Sequence, residues 1–148
     1  MLRSRRAFVY LSQQRLLIGT YSGPGACVQE DWTQPVVWLP DPSVVTKAAL
    51  GEAIRKAWSQ CREIPLIPYK EVIAKCSEVV GASNLKKFFA NVKLVSTDLM
   101  DGIISLAPQK QTAVDEFDFL PEAEIKLSEH VSDEELGAAV IEALRRCE

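Results

Sequence analysis

The sequence predicts an α+β fold: an antiparallel, twisted sheet with helices packed on one face, built from two pseudo-repeated β-β-β-α units. Two observations lead to this prediction. An amphipathic helix pattern begins at Leu50 and recurs at Leu136, with a constant spacing of 86 positions along the stretch. Short β-rich runs bounded by turn residues precede each copy, as expected for hairpins that lead into a helix.

The repeated helix is the strongest local pattern in the chain. Residues 50–61 and 136–147 share Leu, Gly, Ala, an aliphatic residue and a terminal Cys, at positions that form the buried stripe of a helix. Glycine inside a helix costs roughly 0.5–1 kcal/mol relative to alanine, so its presence in both copies indicates close packing. The alternative is chance similarity between two alanine-rich stripes, which would not supply the shared Gly and Cys.

The first half contains three predicted strands and one helix. Residues 7–11 and 15–21 are β-rich and flank a short polar turn. A third strand at 35–39 ends at Pro40, and the helix follows at about 44–60.

The second half repeats this order. Strands at 91–95 and 103–106 flank a turn at 98–102, and residues 117–120 and 124–127 are further short strand candidates. The last helix then begins with a capping box.

This capping box pairs Ser132 with Glu135, directly before the apolar stripe. Between the halves, a proline-rich crossover leads into a third helix at 69–80, for which Gly81 is a suitable C-cap. Residues 84–89 add one more helical turn.

The predicted organisation is one domain over residues 1–148, because each unit is too small to bury a core alone. Pseudo-repeat 1 covers about 6–62, a connecting helix about 66–81, and pseudo-repeat 2 about 88–148.

Composition excludes several classes of protein. The chain is 47% hydrophobic and 25% charged with a net charge of -3, which argues against a direct binder of nucleic acid. No apolar stretch approaches the roughly 18 residues of a membrane span. The basic start precedes an apolar run too short for a signal peptide, so we expect a cytoplasmic protein without membrane contact.

The residues that carry chemistry are sparse. Four cysteines are widely spaced without a CxxC pair and His130 is the only histidine, so we expect neither a metal site nor another cofactor. Cys61 and Cys147 end equivalent helices and are expected to be helix-end or core thiols. Cys27 and Ser22 are nucleophile candidates only because they lie in a loop. The sequence therefore predicts a protein that is not an enzyme.

Negative charge is concentrated in one segment. Residues 112–135 hold nine acidic residues against one lysine, a net charge of -8, so the remainder carries +5. Such an excess attracts a basic partner, although a solvated loop is an equal alternative, and the acids of 133–135 favour a helix N-terminus by themselves. The candidate partner-binding residues are Asp115, Glu116, Phe117, Asp118, Glu122, Glu124 and Glu129. Phe119 alternates with Asp118, so both phenylalanines share one face.

The helix motif at 132–144, its fainter copy at 46–54 and the hairpin that begins at 6–10 resemble a known family. The chain is similar to the CdiI immunity proteins of bacterial contact-dependent growth inhibition systems. This resemblance implies a cytoplasmic protein that binds and blocks the C-terminal toxin domain of a large secreted effector. Because such toxins are frequently nucleases with basic clefts, it also implies that an acidic inhibitor occludes the active site or substrate cleft. The family supplies no binding residues to transfer.

A different class of function stays open. The alternative is an intracellular adaptor or regulatory domain that can dimerise through its sheet edges, because the strand near residues 36–39 is apolar enough to pair with another chain.

Overall fold

The computed structural model describes residues 2–148, which form eight β-strands and four α-helices. The strands are β1 (Ser4–Ser12), β2 (Arg15–Ser22), β3 (Gln29–Glu30), β4 (Val37–Pro40), β5 (Lys93–Met100), β6 (Ile103–Ala113), β7 (Glu116–Phe119) and β8 (Ile125–Ser128). The helices are α1 (Lys47–Ser59), α2 (Tyr69–Val80), α3 (Leu85–Ala90) and α4 (Asp133–Arg145). No helix in this range is long and apolar enough to cross a membrane.

The strands form one antiparallel sheet in the order β3-β2-β1-β5-β6-β7. Strand β4 pairs with β2 beside β3, and β8 pairs with β6 beside β7. The sheet thus consists of two hairpins, β1–β2 and β5–β6, joined through β1 and β5. The predicted α+β class and antiparallel sheet are confirmed. The two-residue strand β3 lies in a segment that the sequence left as a loop, since its pairing depends on a distant partner.

The two hairpins have the same register. Phe8 pairs with Gly19 in the first hairpin, and Ser96 pairs with Ala107 in the second, 88 positions later on both strands. Residues of the two halves can therefore be matched one to one across the hairpins, as the predicted pseudo-repeat requires.

Both hairpins close through two residues in the left-handed region. Gln13 and Gln14 have φ of 53° and 62°, and Asp101 and Gly102 have φ of 52° and 79°. Positive φ at both central positions is the property of the type I′ turn, whose twist matches that of a hairpin. The turn predicted at 98–102 is confined to its last residues, so β5 extends further than predicted.

Helices α1 and α4 lie together on one face of the sheet. Their apolar stripes pack against strand residues that point toward this face. The buried residues of this layer include Ala7, Val9, Leu16, Ile18, Leu50, Ile54, Trp58, Val95, Ile104, Leu106, Leu136, Val140 and Leu144. The Trp58 indole also donates a hydrogen bond to Thr97 Oγ1 at 3.0 Å, which ties α1 to the centre of the sheet.

The repeated glycines mark where α1 and α4 approach each other. A Cβ atom at Gly51 would lie 2.0 Å from the backbone oxygen of Asp133, and one at Gly137 would lie 1.9 Å from that of Lys47. These contacts are reciprocal, because Asp133 follows Lys47 by 86 positions and Gly137 follows Gly51 by the same number. Each helix therefore places its first turn against the glycine of the other, and no side chain fits at either glycine.

The ends of the two helices are also equivalent. Thr46 Oγ1 accepts a hydrogen bond from Ala49 N at 3.2 Å, and Ser132 Oγ accepts one from Glu135 N at 3.0 Å. The capping box predicted at Ser132 is present.

The cysteines that follow the helices occupy equivalent positions as well. The Cys61 thiol donates to the backbone oxygen of Arg6 at 3.2 Å, and the Cys147 thiol to that of Leu94 at 3.3 Å. Both are free helix-end thiols, as expected from the sequence.

The opposite face of the sheet is covered in part. Phe8, Tyr10 and Leu17 point to this second face, where α2, α3 and the loop around Trp32 pack over them. The sequence prediction placed helices on one face, whereas the structure has helices on both. The reason is that alternate residues of β1 and β2 are apolar on both sides, so both faces of the first half require a cover.

Gly51→Ala and Gly137→Ala should each lower the free energy of unfolding by about 2 kcal/mol, because the new methyl group meets backbone that must move. The double variant should cost less than the sum of the two, because the first substitution already separates the helices. Urea denaturation followed by circular dichroism measures both effects. Ala48→Ser, at an exposed position of α1, is the control and should change stability by less than about 0.5 kcal/mol. Equal stability of the wild type and both glycine variants would contradict the close contact between α1 and α4 at these glycines.

Candidate functional site

The site is a groove of about 650 Å³ on the second face of the sheet. It lies over the part of β1, β5 and β6 that α2 and α3 do not cover. Its floor is formed by Ser96, Asp98, Ser105, Ala107 and Gln109.

The walls of the groove come from four parts of the chain. Phe117 and Phe119 of β7 form one side, and Glu124 and Lys126 stand at β8. Residues 26–28 and the start of β1 close the remaining side. The groove is therefore polar on its floor and apolar along β7.

The groove exists because the two hairpins differ at matched positions. Where the first hairpin has Phe8, Tyr10 and Leu17, the second has Ser96, Asp98 and Ser105, each 88 positions later. The first set is buried beneath α2, α3 and the loop around Trp32. The second set is small and polar, and none of the helices formed by residues 2–148 packs over it. The second face is thus filled in one half and open in the other.

Asp98 is the unusual group on the floor. It lies within β5 directly opposite Arg6 of β1, and its Oδ1 atom is buried with no hydrogen-bond partner among the described residues. Burial raises the pKa of Asp98, the charge of Arg6 opposes this rise, and the charge of Glu124 adds to it. A buried acceptor without a hydrogen-bond partner costs free energy of folding.

Arg6 does not provide that donor. Its Nη1 donates to the backbone oxygen of Cys27 at 2.9 Å, and its guanidinium lies 4.6 Å from the centroid of the Tyr21 ring. These two contacts draw the guanidinium toward β2, while Arg6 still lines the groove and its charge acts on Asp98 through space.

Phe117 and Phe119 form the aromatic wall of the groove, and Phe117 is held in place by packing against Tyr10. The Phe117 ring packs against Tyr10 with centroids 6.1 Å apart, while Phe119 is 44% exposed at the opening. Asp118 between them is exposed, so the predicted alternation, with both phenylalanines on one face, is confirmed.

The predicted acidic residues do not form one patch. Glu124 lines the groove and pairs with Lys126 at 3.5 Å, and Asp115 accepts a hydrogen bond from the Tyr69 hydroxyl at the start of α2. Three others project into solvent: Glu116, Asp118 and Glu122.

Glu129 lies apart from this group. It follows β8, whose end pairs with the start of β6, whereas Glu116 pairs with the end of β6. Ten residues of strand at 3.3 Å each separate the two by about 30 Å along β6. Glu129 is 3.7 Å from His130, which is exposed, as the sequence predicts for a loop histidine.

Glu30 forms a buried polar cluster with Tyr10, which packs against Phe117, and with Trp32. Tyr10 donates to Glu30 Oε2 at 2.5 Å, and the Trp32 indole donates to Glu30 Oε1 at 3.3 Å. Burial raises the pKa of Glu30 to about 7, even though both of these hydrogen bonds oppose the rise. The same surroundings raise the pKa of Tyr21 to about 12, again chiefly through burial.

The thiols are placed for structure. Cys27 is fully buried and donates to the backbone oxygen of Ser4 at 3.3 Å. Burial raises the pKa of Cys61 to about 12, which keeps this neighbouring thiol protonated. His130 is exposed and lies 3.7 Å from Glu129. Among residues 2–148 no three His, Cys, Asp or Glu side chains are grouped closely enough to hold a metal ion. The arrangement provides charged and apolar contacts for a ligand.

A comparison with protein families identifies the chain. Residues 5–147 match the model of the family described as CDI immunity protein. The chain belongs to this family. The family resemblance seen in the sequence is therefore confirmed, and an immunity protein is expected to bind the toxin of its own system.

Two solved structures are similar to this CDI immunity protein over their whole length. A protein of unknown function from Neisseria meningitidis has a TM-score of 0.83 and 22% identity, covering 100% of this chain and 98% of the other. A chain from the CdiA-CT/CdiI toxin and immunity complex of Yersinia pseudotuberculosis has a TM-score of 0.79 and 20% identity, with 99% of both chains covered. At these identities the likeness concerns the fold. Comparison with curated proteins finds no match.

Sequence reasoning missed the floor of the groove. Asp98 was predicted to lie in the turn, yet it lies in a strand and points to the second face. The dipeptide Asp101-Gly102 is a strong hairpin signal and would have placed the turn correctly. Strand alternation from Leu94 would then have placed Ser96 and Asp98 on one face.

Glu30→Gln should flatten the pH dependence of stability. The folded-state pKa of about 7 exceeds the ordinary value of 4.5, so the wild type loses stability as the pH rises from about 4.5 to 7. This loss should be on the order of 2 kcal/mol and should be largely absent in the variant. Urea denaturation at pH 5 and pH 8 measures it. Glu122→Gln, at an exposed position, serves as the control and should follow the wild type. A pH dependence equal to that of wild type in Glu30→Gln would contradict the assignment.

Proposed function

We propose that this chain binds and neutralises the C-terminal toxin domain of a delivered effector, and that it does so in the cytoplasm of the cell that makes it. The observation that carries the proposal is membership of the CDI immunity protein family over residues 5–147. We further propose that the toxin is a nuclease with a basic substrate cleft and that the immunity protein occludes this cleft or the active site.

The charge distribution supports a basic partner. The segment at 112–135 has a net charge of -8 in a chain of net charge -3. Exposed acids at the β6–β7 hairpin attract a basic surface and raise the association rate, while the adjoining aromatic wall excludes water from the contact. Carboxylates then take the places that phosphates occupy when the toxin binds nucleic acid.

The proposed contact surface combines the predicted acids with the groove. It comprises Asp115, Glu116, Phe117, Asp118, Glu122 and Glu124. We propose that Glu129 also contacts the toxin, at the far end of a footprint that follows β6 for about 30 Å. A footprint of this length agrees with a standard protein–protein interface.

The strength required of the complex is high. Protection inside a cell demands a dissociation constant of about 1 nM or below, which corresponds to roughly 12 kcal/mol of binding free energy. Rim acids supply little of this energy because they remain solvated. The groove, where side chains of a partner lose water, supplies the larger part.

We propose a purely binding role without catalysis. The alternative, an adaptor that joins other chains through its sheet edges, gains little support from β4. This edge strand has four residues, ends at Pro40 and turns Trp38 inward against Phe88, at a centroid separation of 6.4 Å. Short edges that end in proline are poor templates for strand addition.

Charge reversal at the hairpin should weaken protection. Asp118→Lys combined with Glu122→Lys should slow association with the toxin domain at least tenfold at low salt, because steering depends on the sign of these charges. Growth of cells that produce the toxin domain of the effector encoded beside this chain, together with each variant, gives the first readout. Stopped-flow association rates give the second.

The matched control is Glu52→Lys combined with Glu78→Lys, which makes the same charge change at exposed positions of α1 and α2. This variant should protect like the wild type. Equal slowing by both pairs would assign the effect to net charge and count against the proposed surface. Failure of wild type to protect or bind would contradict the proposed function itself.

A further inference from the structure

We propose that Cys27 and Cys61 are a modification site, at which a low-molecular-weight disulfide oxidises the two thiols to a reversible intramolecular disulfide. The bond fastens the loop at 23–28 to the segment that follows α1. The inference does not depend on the proposed function, because it needs only two thiols of this chain and an oxidant of that class.

The first step is the placement of the two thiols against one edge of β1. Cys61 Sγ accepts a hydrogen bond from Arg6 N and donates one to Arg6 O, each at 3.2 Å. Cys27 Sγ donates to Ser4 O at 3.3 Å. Backbone groups two residues apart on a strand point to the same side, about 7 Å from each other. The two sulfur atoms are therefore neighbours along this edge, where β1 has left its pairing with β2.

The second step is the connection between the segments that carry these cysteines. Gly23 N donates to Arg62 O at 3.2 Å, and Ile64 N donates to Gly23 O at the same distance. The start of the loop that contains Cys27 is thus hydrogen-bonded to the residues that follow Cys61. Proximity held by the backbone is what the formation of a disulfide requires.

The third step is a comparison with the other half of the chain. Cys147 is the counterpart of Cys61, and its thiol donates to the backbone oxygen of Leu94 at 3.3 Å. Residues 88–148 contain no cysteine besides Cys147. The contact between a helix-end thiol and a strand is therefore made in both halves, and only the first half places another thiol beside it.

The fourth step is access for the oxidant. Cys61 is the thiol that reacts first, because it is 7% exposed whereas Cys27 is 0% exposed. The loop before Cys27 is exposed at residues 24–26, and Gly25 has a φ of 75° with open space around it. Movement of this loop uncovers Cys27 without a change in the paired strands.

The reaction consists of two thiol–disulfide exchanges. Cys61 loses its proton and attacks one sulfur of the small disulfide, whose S–S bond breaks, and the departing thiolate takes up that proton. Cys27 then loses its proton and attacks the Cys61 sulfur of the mixed disulfide. The S–S bond between Cys61 and the small molecule breaks, and the second departing thiolate takes up the proton. Two protein thiols are oxidised, and one small disulfide is reduced to two thiols.

The test treats the reduced, folded, full-length protein with glutathione disulfide in large excess. The remaining thiols are then alkylated in urea and counted by intact mass spectrometry. We expect two of the four thiols to be lost together with no glutathione retained, and a proteolytic digest to yield a peptide pair linked through Cys27 and Cys61. Dithiothreitol should restore all four thiols.

The oxidised protein should also resist urea better than the reduced protein. We expect its urea midpoint to rise by about 1 M or more, because the bond closes a loop of residues 27–61 in the unfolded chain. An unchanged or lower midpoint would show that the bond distorts the fold, and would count against a site built for it.

Three variants complete the experiment. Cys147→Ser removes the equivalent thiol of the second half and is the matched control, so it should lose the same pair of thiols as the wild type. Cys27→Ser and Cys61→Ser should each form no intramolecular disulfide. Serine keeps a donor for the backbone oxygens of β1, and circular dichroism checks that each variant is folded.

Four outcomes would overturn the inference: retention of all four thiols by the folded wild type, a linkage that includes Cys76 or Cys147, glutathione that remains on Cys61 while Cys27 stays free, and loss of a thiol pair by Cys27→Ser at the wild-type rate. If one serine variant does not fold, the other variant and the peptide map of the wild type still decide.

Discussion

The reciprocal contact between α1 and α4 is the constraint on which the fold depends. Each helix has a glycine where the other presents the backbone of its first turn, and a Cβ atom at either glycine would lie only 2.0 or 1.9 Å from the facing backbone oxygen. Because the contact is symmetric, the strands that feed the helices must be arranged symmetrically too. The backbone hydrogen bonds of the residues that follow α1 and α4 show the same symmetry. Gly23 N donates to Arg62 O at 3.2 Å, and Gln111 N donates to Glu148 O at 3.0 Å, at equivalent positions of the two halves.

We propose that the binding surface lies where this symmetry ends. On the face under α1 and α4 the two halves match, and the layer is closed. On the second face the connecting segment with α2 and α3 covers the first hairpin alone, and the second hairpin carries small and polar residues in place of aromatic ones. A duplicated core therefore supplies stability, whereas the unmatched half leaves a groove whose floor includes the partly buried Asp98. The sequence of an uncovered half-face can change without disturbing the contact between α1 and α4 at the two glycines.

Much of the fold could be predicted because its signals are local. The capping box at Ser132, the helix at 69–80 and the polar turn after Ser12 lie where the sequence placed them. The Gly and Cys shared by the two helices indicated close packing, which the structure confirms. The apolar runs of β1 and β2 indicated that both faces of the first half need a cover, but periodicity does not tell which helices lie on which face.

The groove was beyond prediction for a related reason. Asp98 becomes conspicuous only when β5, β6 and β7 are assembled, because its burial and missing partner are tertiary properties. The sequence showed the negative charge of residues 112–135, but it did not show that these acidic residues are spread along the length of β6. Glu129 and Glu116 are near each other in sequence and lie at opposite ends of the strand.

Hydrogen–deuterium exchange of the immunity protein, alone and with the toxin domain, tests the central claim most directly. We expect slower exchange on binding at residues 26–28, in β7 and in the segment before β8, with unchanged exchange along α1 and α4. Protection confined to the outer surfaces of α1 and α4, with unchanged exchange around the groove, would contradict it.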